Sequence, residues 1–202
     1  MNPQHLLEQG GLLLLAAIVF AESGLLVGFF LPGDSLLFVA GFLTSTAGGH
    51  RLAVLPIVIA VTFVAAVAGD QVGYLIGRRA GASLQRRPDG RIFRRAHVER
   101  AAAFFERHGP KTVVLARFVP VVRTFVPVVA GAGAMPYRTF VTFNLVGGLA
   151  WAGGVTTAGH FLGQINAVRN HIEIAILAVV AVSLLPVAFE FVRHRRSTTR
   201  VR

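Results

Sequence analysis

Cysteine is absent from the 202 residues, which excludes disulfides, a thiolate nucleophile and any cysteine-held metal. Histidine occurs seven times, at 5, 50, 97, 108, 160, 171 and 194, but no pair has the HExxH or His-rich spacing of a metal site. No metal and no organic cofactor is therefore expected. Acids are few: nine Asp and Glu stand against twenty Lys and Arg, for a formal charge of +11. All but one of those cations are arginine, and they cluster beside apolar segments. Cytoplasmic flanks of membrane spans carry such clusters, so the charge argues against a nucleic-acid partner. The opening MNPQHLLEQGG has no Lys or Arg. It lacks the basic start of a secretory signal and is expected to stay in the mature protein.

What the chain has in quantity is apolar sequence: 54% of its residues are hydrophobic and its mean hydropathy is +0.65. A soluble domain of this length is less apolar and alternates more between faces. Crossing the roughly 30 Å hydrocarbon core takes about 20 helical residues, and charge-poor runs fill much of 11–77, 112–163 and 172–192. The fold class is an all-α membrane protein, with residues 1–202 forming a single multi-pass domain. Segments 52–77, 139–163 and 173–192 are expected to span, the second with small residues that permit close helix packing. Two further apolar regions are interrupted, 11–47 by Pro32 and Gly33 and 112–136 by Pro120 and Pro127.

Arginine placement sets the orientation. Nine arginines lie in 78–107 and five after 192, so the 78–110 loop and the 193–202 tail are assigned to the cytoplasm. If 173–192 ends inside, 139–163 runs from inside to outside, and residues 110 and 138 share the inner face. Segment 111–137 must then enter and leave on one side, as a re-entrant hairpin. The first half permits the mirror arrangement, with 11–47 dipping in from outside before 52–77 crosses. The alternative is that 11–31 crosses once and 35–49 lies at the surface. Two oppositely oriented re-entrant hairpins plus about three transmembrane helices make an inverted repeat, a plan that puts a site near the midplane. Residues 92–107 read as an amphipathic helix on the inner leaflet or as an ordinary connector.

Ionisable groups within a bilayer are costly unless paired or hydrated, which makes them functional candidates. Glu22 and Asp34 flank the first break; Arg117 and Arg123 lie in KTVVLARFVPVVRTFVPVVAGAGAM around the second. Proline withholds an N–H, and the backbone groups it frees must face protein or water. Arginine's planar fork donates paired hydrogen bonds to phosphate, so Arg117 and Arg123 are candidate lipid-phosphate ligands. Desolvation and a neighbouring guanidinium pull a carboxylate's proton affinity in opposite directions, which makes Glu22 and Asp34 candidate proton carriers. The competing reading is a set of structural ion pairs between the hairpins. Asp70 is a secondary candidate, expected near the cytoplasmic end of its span and within reach of a loop arginine. Trp151, Tyr137 and Tyr74 are expected to anchor or pack, Asn144 to satisfy backbone groups freed by the prolines, and His160 to be a satisfied polar group near the outer interface.

Three blocks together resemble the DedA family of membrane proteins: Glu22 with the Pro32-Gly33-Asp34 break, GDQVGYLIGRRAG at 69–81, and FFERHGPKTVVLARFVPVVRTFVPVVAGAGAM at 104–135. The most specific part is ARFVPVVRT, followed by Ala130-Gly131 and Met135, and the resemblance runs over residues 10–190. It implies two opposed re-entrant hairpins in a bacterial cytoplasmic membrane. It also implies translocation of undecaprenyl phosphate, or of phospholipids, often linked to the proton gradient. The family's essential acids would fall on Glu22 and Asp34 and its essential arginines on Arg117 and Arg123. The function expected is a flippase for a lipid phosphate, with protons as coupling ion and membrane lipids as surroundings. It is not expected to be an enzyme: a lipid phosphatase would need a PSGH-like motif and later Arg/His motifs, which are missing. An uncoupled scramblase and a purely structural membrane protein are the alternatives.

Overall fold

Helix is the only regular structure among the described residues of the computed structural model, which are 3–24, 33–45, 52–85 and 103–165. The helices are α1 (Pro3–Gly24), α2 (Gly33–Leu43), α3 (Leu55–Gln85), α4 (Lys111–Ala116), α5 (Pro120–Ala132) and α6 (Tyr137–Leu162). Residues 103–108 are also helical. The span at 173–192, the 193–202 tail, the Pro32 break and most of the amphipathic segment 92–107 lie outside the described residues.

Two helices differ in length from the sequence expectation. α1 starts at Pro3, eight residues before the apolar run, because proline is tolerated in a first turn, where its missing N–H has no intrahelical partner. α3 continues through Arg78 and Arg79 to Gln85, so Asp70 stands fifteen residues from either end instead of near the cytoplasmic end. Its Leu55–Ala82 stretch is the one among the described residues that is both long and apolar enough to cross a membrane.

The break after α4 follows from one residue. Proline pushes its predecessor out of the helical region, and Val119, before Pro120, is extended at φ −118°, ψ 105°. Arg117 therefore caps α4 while Arg123 falls in the opening turns of α5. Pro127 inside α5 then offers no N–H to the Arg123 carbonyl. At the far end Ala134 turns left-handed at φ 57°, and Met135 N–H bonds the Ala130 carbonyl at 3.0 Å. The Tyr74 hydroxyl pins this turn by donating to the Met135 carbonyl at 2.6 Å, and it accepts from Arg78 at 2.8 Å.

α1 packs on α3 and α4 on α6; α2 packs on α6 and α5 on α3; α3 and α6 meet each other. Glycine makes the two crossed pairs possible. A Cβ on Gly41 would overlap the Thr156 carbonyl, and one on Gly159 the Phe38 carbonyl. In the other pair, Gly131 faces the Tyr74 carbonyl and Gly77 the Val128 carbonyl in the same way. In all four helices the facing carbonyl belongs to the residue three before the glycine. At one end of the α2–α6 contact, Thr44 donates its hydroxyl hydrogen to the Gly41 carbonyl and so accepts from His160 Nδ1 at 2.7 Å. His160 is thus a satisfied polar group.

Among the described residues two apolar clusters result, one around Leu15, Val19, Leu37, Val58 and Trp151 and the other around Tyr74, Val113, Val126, Ala130 and Phe140. Along α3 and α6, Asp70 and Asn144 fall between them. Large apolar side chains also cover the outside, among them Leu13, Val64, Leu115, Phe118, Phe125 and Phe161. Polar residues inside and an apolar coat outside suit a chain whose solvent is lipid.

Candidate functional site

Five charged residues from five places in the chain meet in the layer between the apolar clusters. Glu22, Asp70, Arg117 and Arg123 are only 2%, 4%, 6% and 8% exposed. Asp34 is half-buried.

Arg123 is the hub of one set. Its Nη1 donates to Asp34 Oδ1 at 2.6 Å and its Nη2 donates to Glu22 Oε1. The guanidinium carbon lies over the Trp151 ring, 4.7 Å from its centroid, a cation–π contact. Trp151 Nε1 also donates to Asp34 Oδ1, at 2.7 Å. A carboxylate on each edge and an indole on one face leave this guanidinium little freedom. Gly33 is the local reason that Glu22 reaches it: a Cβ there would collide with the Glu22 carboxyl group. Asp34 sits in the first turn of α2, where a negative charge is favoured by the helix dipole.

Arg117 forms the second set. Its Nη2 bonds Asp70 Oδ2 and also Asn144 Oδ1, the latter at 2.5 Å. Gly147 leaves room on α6 for the Arg117 stem. A cavity of about 10 Å³ lies between the two sets, bounded by Asp70, Arg117, Arg123 and Asn144 with Val113 and Val126. That is space for one water.

The sequence candidates therefore converge, with corrections. Glu22 and Asp34 share Arg123, and all four principal residues lie at one site. Asp70 pairs with Arg117, not with a loop arginine, because the length of α3 puts it at mid-helix. Asn144 binds the Arg117 guanidinium instead of serving backbone groups. Trp151 does more than pack. One signal for the last two was legible: residues 144 and 151 are about two helical turns apart and so share a face of α6. Tyr74 and Tyr137 do pack, with ring centroids 5.7 Å apart.

Trp151→Phe keeps an aromatic face on Arg123 but deletes the N–H that Asp34 accepts. Hydrogen bonds to charged groups contribute about 1.5–3 kcal/mol, and a stability loss of that order is expected in thermal unfolding of the solubilised protein. An unchanged melting temperature would show that Asp34 does not depend on the indole.

Residues 31–161 match the model of the VTT domain. The chain is 45% identical to "Protein DedA" of Escherichia coli over 191 residues, covering 93% of this chain and 84% of that protein. It is 47% identical over 183 residues to an uncharacterized membrane protein of Mycobacterium leprae, covering 91% and 80% respectively. Inner membrane protein YghB of Escherichia coli is 34% identical over 171 residues, covering 84% and 76%. No solved structure matches the chain.

Proposed function

The chain belongs to the DedA family of bacterial membrane proteins, and from that premise we propose that it is a transporter, not an enzyme, moving undecaprenyl phosphate or a related lipid phosphate across the cytoplasmic membrane. The observation that carries this reading is the meeting of Arg117 and Arg123 at one buried cavity, each held by carboxylates. Guanidiniums are phosphate ligands, and the carboxylates that hold these two offer the same kind of acceptor oxygen that a phosphate would. The lipid tail stays in the bilayer, so only a headgroup needs a protein path.

Three carboxylates against two guanidiniums leave one negative charge in excess when all are ionised. Unbalanced charge at membrane depth is expensive, and a proton on the cluster removes it. Protons are accordingly the coupling ion, with Glu22 and Asp34 as carriers. The helix lengths support re-entrant hairpins. α2, α4 and α5 have 11, 6 and 13 residues, at most about 20 Å against a core of about 30 Å. α1 is longer, but it ends where Glu22 meets Arg123 inside the bundle. The inverted repeat draws support from the crossed packing: α1-α2-α3 and α4-α5-α6 exchange their middle helices, and both exchanges use the same carbonyl–glycine spacing. A multi-pass chain with a cytoplasmic C-terminus follows from the arginine-rich loop and tail.

The saturation of both arginines by acids also fits a purely structural cluster, and one experiment separates the two. Purified protein is placed in liposomes holding undecaprenyl phosphate in one leaflet, and its arrival in the other is followed with and without a proton gradient, for the wild type and Arg117→Ala. Gradient-dependent transfer that the variant loses is the expected result. Transfer of many lipids without a gradient would instead identify a scramblase. Transfer no faster than in empty liposomes, with folded protein, would leave the structural reading standing.

A further inference from the structure

The Arg117 side of the cluster holds more hydrogen-bond donors than its carboxylate uses. Among the described residues, Arg117 Nε and Asn144 Nδ2 are both buried and have no partner, although Arg117 Nη2 serves both Asp70 and the Asn144 carbonyl oxygen. Buried donors without acceptors are rare because each forfeits its hydration. Here two of them belong to residues that line one cavity. Asp70 meets Arg117 through Oδ2, and a carboxylate has only two oxygens to share. A phosphate monoester presents about three strong acceptor oxygens, enough for the donors that Asp70 leaves idle. The cavity has room for one water beside Asp70, so the two anions cannot bind together.

Resting on the lipid-phosphate reading above, we propose that Asp70 is an internal stand-in for the substrate's phosphate on Arg117, and that Asn144 is a headgroup ligand that favours the substrate once Asp70 is displaced. The phosphate wins by satisfying Arg117 Nε and Asn144 Nδ2 as well as the Nη atoms. Asp70 comes from α3 and Arg117 from the end of α4. Displacing one from the other unties those helices, so headgroup arrival and helix movement become one event. When the headgroup leaves, Asp70 returns and closes the site.

The test is binding of dodecyl phosphate to the full chain in a nonionic detergent, read by calorimetry, with inorganic phosphate titrated in parallel. A competing internal ligand lowers apparent affinity by the fraction of protein in which the site is free. Asp70→Asn, which keeps the shape and drops the charge, is expected to bind dodecyl phosphate at least about tenfold tighter while translocating more slowly. Asn144→Ala, which retains the three ion pairs, is expected to bind it about tenfold more weakly. Tighter binding of dodecyl than inorganic phosphate identifies the lipid as the source, and equal binding identifies the free ion. Either way the mutant-to-wild-type ratio decides the role of Asp70. Equal or weaker binding by folded Asp70→Asn overturns the proposal. If that variant does not fold, unchanged affinity in Asn144→Ala overturns it and a loss supports it. Wild type that binds neither probe would remove the transport reading and this inference together; wild-type binding that neither variant alters would remove the inference alone.

Discussion

Arg123→Ala is expected to destabilise the protein by about 3–5 kcal/mol, because it strands two carboxylates inside the bundle without a counter-charge. Both Glu22 and Asp34 depend on this one guanidinium. They reach it from α1 and α2, while Trp151 stacks over it from α6, so the residue ties α5 to three helices. Thermal unfolding in detergent measures the loss. Adding Glu22→Gln and Asp34→Asn to the variant removes the stranded charges and should recover much of the stability, since the cost lies in the unpaired ions more than in the missing bonds. Arg123→Lys should fall between, as an ammonium offers one point charge where the guanidinium offers two edges and a face. An Arg123→Ala protein that melts with the wild type would mean that the acids are not held by this residue.

Gly131→Val should be nearly as damaging with no charge involved. The Cβ meets the Tyr74 carbonyl and lies against the Arg78 backbone nitrogen. Backbone cannot rotate aside as a side chain can, so α3 and α5 must separate. We expect a loss of about 3 kcal/mol, the upper end of the usual overpacking cost because backbone is struck, together with broadened gel-filtration profiles. Gly41→Val in the α2–α6 pair should behave alike, because it meets the Thr156 carbonyl in the same manner. Gly154→Val, on α6 with no described residue within 4 Å of its Cβ, is the control and should shift stability by no more than about 0.5 kcal/mol. Similar behaviour at positions 131 and 154 would show that the α3–α5 contact is looser than its geometry indicates.

The sequence alone determined the solvent and the candidate chemistry. Long charge-poor apolar runs and a high mean hydropathy identify a membrane protein. In such a chain Glu22, Asp34, Arg117 and Arg123 stand out because charge at that depth needs a reason. The break before α5 was also legible, since Pro120 acts on its immediate neighbour and local sterics need no tertiary context. Only the tertiary structure decided which charge meets which. Asp70 looked peripheral because Arg78 and Arg79 resemble the end of a span, whereas α3 runs on to Gln85 and leaves the acid at its middle. Asn144 and Trp151 carry no net charge and read as a partner for freed backbone groups and as an anchoring or packing residue. Their roles arise because α6 presents both toward the arginines, through packing against α2 and α3 that runs over glycine contacts far apart in the chain. Depth in a membrane is written in local hydropathy, but partnership depends on helix crossings, and those are set by contacts remote in the chain, from Gly131 on Tyr74 to Gly41 on Thr156.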